Sequence, residues 1–258
     1  MKYSISYNTD IKLREKADEI RVPLNKLGYL YDFIKTHPNK RYIITLDNIM
    51  NIDSHSEKQI NYVKAVVGNN YSIECNQIAQ MHQIADLGYN FYYKFGIADW
   101  ESFNNLMEIS VTDVFIDGPL GFDVNTLSLI KEKHNINVRV RPNISSNAAF
   151  ARNQAAVPAN TFFIRPEDLS LYEKAIDILV FDKETSSLKE EMMFNIYHRG
   201  YYDNNISDII HGIYPNINNK TMHPSFAQNR INCKQKCKSG SRCSLCISSF
   251  DVVNKLYN

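Results

Sequence analysis

Read for the alternation of apolar and polar positions, the chain divides into short β-rich runs separated by stretches with helical spacing. The runs at residues 3–7, 42–47, 71–75, 91–95, 113–117, 137–141, 161–165 and 177–182 are rich in Tyr, Phe, Ile and Val and predict eight strands. Between them apolar residues recur three and four positions apart, as at Leu24, Leu27, Leu30, Tyr31 and Ile34, or at Ile78, Met81, Ile84 and Ala85. The same spacing holds at Trp100, Phe103, Leu106 and Met107, and at Val124, Leu127 and Ile130. Asp99 and Asp123 stand where helix N-caps belong and Gly88 where a helix should stop. Pro142 and Pro166 fall just past strands, where a missing N–H costs little.

Such alternation requires parallel strands, because each strand returns through a crossover. The repeat predicts a closed (βα)8 barrel over residues 1–213, with an open doubly wound α/β sheet as the alternative. Its first unit is the least regular, since residues 19–22 also carry a strand-like alternation. Residues 188–198 read as a closing helix. The texture changes at Tyr214 to a polar, proline-containing linker, so residues 214–258 form a linker and a short extension too small to fold without a metal.

Most predicted strands carry a charge near their C-terminal end, which is the catalytic face of a barrel. Facing inwards, Asp47, Glu74, Lys94, Asp117, Arg139, Arg141, Arg165 and Asp182 would share one mouth. Arginine forks suit a carboxylate or a phosphate, so Arg139, Arg141 and Arg165 are the candidate substrate-binding residues. Glu74, Lys94, Asp117 and Asp182 are the candidate catalytic residues, handling protons on the other side of the mouth. Against this stands a structural reading, in which such charges mark where the chain leaves the core and pairs such as Glu74 with Lys94 fill the barrel's upper layer.

The extension holds four of the five cysteines, spaced Cys233-x3-Cys237-x5-Cys243-x2-Cys246. Four soft donors this close can surround one ion, either structural Zn2+ or a [4Fe-4S] cluster. The x2 gap suits zinc, the x3 gap is acceptable for a cluster, and the x5 gap excludes the radical-SAM spacing. No secretory signal opens the sequence, so reduced thiols are expected rather than disulfides. Cys75, on an apolar run, reads as a small core residue.

Net charge adds a division that the pattern does not show. Seven basic residues against Asp251 give the chain from Lys220 onwards a net +6, leaving −5 on the rest of a chain that totals +1. The basic extension fits contact with nucleic acid, or compensation of the roughly two negative charges on a zinc tetrathiolate. With 44% hydrophobic and 22% charged residues the composition is that of a globular protein with a substantial core, and no run approaches the ~18 apolar residues of a membrane span. A cytoplasmic location is expected. Scattered histidines give no His-Glu-x-x-His pair, and neither a Gly-x-Ser-x-Gly elbow nor a P-loop lysine occurs. Gly118 and Gly121 read as turn residues. Tyr29, Tyr31, Tyr92–Tyr93 and Tyr201–Tyr202 read as packing residues rather than base-stacking platforms.

A barrel of this size with four thiolates resembles the U32 peptidase family, whose members include iron–sulfur proteins linked to RNA and quinone hydroxylation. The resemblance covers architecture and the four-cysteine idea. That family's cysteines are spread more widely, so no catalytic residue is carried over. The stretch Asn229-Arg230-Ile231-Asn232-Cys233 resembles uncharacterised proteins of bacterial mobile elements and phages, which implies a virus-encoded role inside a bacterial host. Two functions follow. One is a barrel metalloenzyme acting on an anionic small molecule at its mouth. The other is a binding module, or a phage interaction protein, whose basic four-cysteine tail contacts nucleic acid or a partner.

Overall fold

The computed structural model describes residues 1–46, 52–95, 112–116, 121, 123–144, 162–181, 187–205, 208–209, 227–228 and 231. The elements in chain order are β1 (Lys2–Ser6), α1 (Ile11–Lys16), β2 (Glu19–Pro23), a 3-10 helix (Leu24–Leu30), α2 (Tyr31–Thr36), β3 (Arg41–Thr45), α3 (Ser54–Val67), β4 (Tyr71–Cys75), α4 (Ile78–Asp86) and β5 (Phe91–Phe95). There follow β6 (Asp113–Ile116), α5 (Val124–His134), β7 (Asn137–Val140), β8 (Asn143–Ile144), β9 (Phe162–Phe163), a second 3-10 helix (Pro166–Leu171), β10 (Ile178–Val180) and α6 (Ser187–Arg199). Parallel pairing in the order β1-β10-β7-β6-β5-β4-β3-β2, with β2 back on β1, closes a (βα)8 barrel.

The predicted fold is therefore present, with one exchange among its strands. β2 is a full barrel strand, paired with β1 through Ile5↔Ile20 and with β3 through Ile20↔Tyr42. The run at 161–165 is not a barrel strand. Its Phe162–Phe163 pairs antiparallel with Asn143–Ile144, and β10 lies directly on β7 with Ile178 opposite Arg139. The excursion leaves β7 at its C-terminal end, returns when Ile164 N donates to Pro142 O at 2.7 Å, and descends through the second 3-10 helix to β10.

Local chemistry fixes the element ends. Asp10, Asp53 and Asp123 cap α1, α3 and α5 by accepting from the amides of Lys12, Ser56 and Thr126. Gln77 and Gln80 form a capping box at α4, and Gly88 follows that helix with a φ of +68°, a left-handed conformation that favours glycine. The predicted N-cap Asp99 and helix at 100–107 lie outside the described residues, as do Asp47, Gly118, Asp117, Asp182 and all four tail cysteines.

Alternate residues of each strand serve two different cores. Outward residues such as Ile20, Ile44, Ile73 and Val138 are buried against Leu13, Ile60, Met81, Leu127 and Phe194 of the helices. Each such side chain contributes about 1.5–3 kcal/mol by leaving water. Inside the barrel a separate apolar cluster of Ile43, Tyr92, Phe115, Ile178 and Val180 forms a waist, and the remaining inward positions are strongly polar. Among the described residues no helix is long and apolar enough to cross a membrane.

Candidate functional site

The inward alternation places Arg21 on β2, Glu74 on β4, Tyr92 and Lys94 on β5, and Arg139 on β7, with Arg141 directly beyond that strand. Arg21 Nη2 donates to both oxygens of Glu74, at 2.8 and 2.7 Å, and Tyr92 Oη donates to Glu74 Oε2 at 2.6 Å. Arg21 and Glu74 are both buried, so the guanidinium, the carboxylate and the phenol satisfy one another in a low-dielectric interior. Burial, and secondarily the Glu74 charge, push the Tyr92 phenol well above its ordinary range, so it stays a donor. Arg21 and Lys94 both lie over the Phe115 ring, 5.6 and 5.3 Å from its centroid. Of the expected mouth residues, Glu74, half-buried Lys94 and buried Arg141 thus occupy the C-terminal half of the barrel interior.

Arg139 sits lower and is fully buried. Its Nη1 and Nη2 grip the two carboxylate oxygens of Glu19, Nη2 also donates to Asp113 Oδ1 at 3.1 Å, and its guanidinium lies 4.5 Å from the Tyr92 ring centroid. Arg41 completes the lower network, with Nη2 donating to Asp113 Oδ2 at 3.0 Å and Ser72 Oγ at 2.9 Å. Burial alone would push the Asp113 carboxyl up, but Arg139 and Arg41 outweigh it and hold that group below its usual value. For Arg139 burial likewise opposes the charged form, and Glu19, Tyr92 and Asp113 reverse it. Arg139 is therefore committed to two carboxylates inside the barrel, away from the mouth where the sequence pattern set it.

Arg165 lies at the rim, beside the end of β7, as the N-cap of the second 3-10 helix. Its Nε and Nη2 clasp the two oxygens of Asp168, the latter at 2.8 Å. The other expected carboxylates, Asp117 and Asp182, lie outside the described residues.

The structure adds a carboxylate that the sequence reading did not single out. Glu190 of α6 is fully buried and accepts a 2.6 Å hydrogen bond from the Ser6 amide, at the C-terminal end of β1. A signal for it exists, since Glu190, Met193, Phe194 and Tyr197 share one buried helix face at spacings of three and four. Glu19, Arg21 and Arg41 lack the strand-end signal for a different reason. Glu19 and Arg21 are charged inward residues of β2, and Arg41 is the first residue of β3, so none stands at a strand's C-terminal end.

A polar cavity of about 780 Å3 opens at the opposite, N-terminal end of the barrel, lined by Arg41, Asn70, Ser72, Asn90, Asp113, Asn137 and neighbours. The charges on its floor are those of the Arg139 network and are spent on one another, which assigns this end to stability. Among the described residues no group of three or more His, Cys, Asp or Glu side chains is placed to hold a metal.

No family model matches the chain, and no curated protein matches it. Among solved structures, a glycerol uptake operon antiterminator-related protein from Thermotoga maritima aligns with a TM-score of 0.43 and 12% identity, over 74% of this chain and 100% of that one. At that level of similarity nothing about activity is transferred.

Proposed function

We propose that this barrel is an enzyme acting on an anionic substrate, bearing phosphate or carboxylate, bound at the C-terminal face between Lys94 and Arg141. The observation that carries this reading is the charge inside the barrel. Barrel layers are ordinarily filled by branched apolar side chains, and a buried ion pair is commonly no more stabilising than an apolar replacement. Here Arg21, Glu74 and Tyr92 lie beneath the mouth as a fixed polar floor, and Lys94 and Arg141 stand on the next inward positions towards the opening. Such a floor holds the cations above it in one geometry, which favours a fixed anion over mobile water. In this scheme Glu74 positions Arg21 and the floor, while Asp117 and Asp182, which the strand-end pattern sets on the neighbouring strands, supply the proton-transfer groups. Arg139 and Arg165 act through the networks that shape the interior and the rim.

The four tail cysteines, by their spacing, support one structural ion in the same protein. Elemental analysis and a visible spectrum of material purified without oxygen separate zinc from an iron–sulfur cluster.

Calorimetric titration of the full-length protein with inorganic phosphate and with malonate tests the mouth. Lys94→Met and Arg141→Met should each weaken binding of the preferred anion by at least about tenfold, the scale of a charge-assisted hydrogen bond. Melting curves check that both variants fold. Equal affinity in the wild type and both folded variants contradicts the proposal.

A further inference from the structure

A second groove lies on the same side of the molecule as the mouth, where the chain leaves β1 and β2. It encloses about 370 Å3 and is lined by Tyr7, Asn8, Arg14, Lys26, Tyr29 and Leu30. We propose that this groove binds a nucleotide, with the base stacked on Tyr29 and the phosphate held by Lys26 and Arg14. The inference stands apart from the mouth and uses none of its residues.

Tyr29 carries the first part. The sequence reading assigned it to packing, but its side chain is 78% exposed. Its neighbours in sequence do pack: Tyr31 lies 4.2 Å from Tyr62 and Phe33 lies 4.1 Å from His37, centroid to centroid. A broad ring left in water beside two cations is a stacking surface of the kind that takes any base.

The cations carry the second part. Lys26 Nζ lies 5.5 Å from the Tyr29 ring centroid, so the ammonium already shares the platform. Arg14 supplies a guanidinium over Phe33 at 4.9 Å, and its buried Nε has no hydrogen-bond partner among the described residues. Among the described residues no carboxylate lines the groove. Asp10 acts on Arg14 from outside the groove, and a planar aromatic surface lined by two cations and no carboxylate matches a base joined to a phosphate better than it matches a sugar, a peptide or a bare inorganic ion.

The test measures binding of AMP, adenosine, inorganic phosphate and octaadenylate RNA to the full-length chain by titration calorimetry. AMP should bind at least about fivefold more tightly than adenosine or phosphate, and Tyr29→Ala and Lys26→Gln should each weaken AMP about tenfold or more, as expected for loss of one stacked base or one phosphate contact. Tyr29 is exposed and Lys26 half-buried, and melting curves check that both variants fold. Octaadenylate binding no tighter than AMP makes a free nucleotide the ligand; much tighter binding that falls with Tyr29→Ala makes it single-stranded RNA, and both support the groove. No AMP binding at millimolar concentration overturns it. So does binding of either probe that is unchanged in Tyr29→Ala and Lys26→Gln, as contact through the basic tail would give. A loss seen only in Lys94→Met overturns the groove while leaving the mouth reading intact.

Discussion

Arg139 shows how one side chain organises the barrel's interior. It is fully buried, and its charge is balanced by Asp113 on the adjacent β6 and by Glu19 on β2, which is not a neighbour of β7. Removing one partner of such a network leaves charges without compensation, which costs about 3–5 kcal/mol. Arg139→Met is therefore expected to lower unfolding free energy by that amount at pH 7, read from urea midpoints. The sign with pH follows from Asp113. Its folded value is held below the ordinary carboxylate value, so in the wild type it contributes stability above about pH 4 that is lost as pH falls through the folded value. In the variant the same carboxyl loses its principal cation and takes up a proton at higher pH. The gap between the two proteins should therefore narrow between pH 7 and pH 4. A gap below about 1 kcal/mol at pH 7, or one that does not change with pH, would show that the network is not coupled as the geometry implies.

Among the elements, β2 and β9 mark where the pattern could be read and where it could not. Most barrel strands announce themselves through apolar outward residues and a length of four or five, so their count and parallel order were legible. In β2 the inward residues Glu19 and Arg21 are charged, so its alternation is less apolar than that of the other strands, because its inner face belongs to an ion-pair network rather than to oil. The run around Phe162 and Phe163 has strand composition, but pairing direction is set by partners distant in sequence, and there it joins β8 in a two-stranded sheet. Alternation made Glu74, Lys94, Arg139 and Arg141 legible as inward charges, whereas Glu19, Arg21 and Asp113, which neutralise some of them, were not. Glu190 was hidden for a related reason: its role depends on the unpaired amide at the end of β1 that α6 happens to cover. Glu190→Ala should leave that buried amide without its acceptor and cost about 1–3 kcal/mol, while Glu190→Gln, which keeps an oxygen there, should recover most of the loss. Thermal melting of the two variants provides the check, and equal melting temperatures would remove the amide from the account.

At the scale of the whole molecule, the barrel separates its two ends by chemistry. The N-terminal end is closed by carboxylates and guanidiniums that satisfy one another around Arg139. The C-terminal end carries Lys94 and Arg141 above the Arg21–Glu74–Tyr92 floor, with Arg165 at the rim and the Tyr29 groove beside it. The central claim is that the second end, and not the cavity at the first, receives the anion. Crystals of the full-length protein soaked in tungstate, a heavy phosphate-like oxyanion, test it most directly through anomalous scattering. A tungsten peak within hydrogen-bond reach of Lys94 and Arg141 is the expected result; density only in the N-terminal cavity beside Arg41, with none at the mouth, would contradict it.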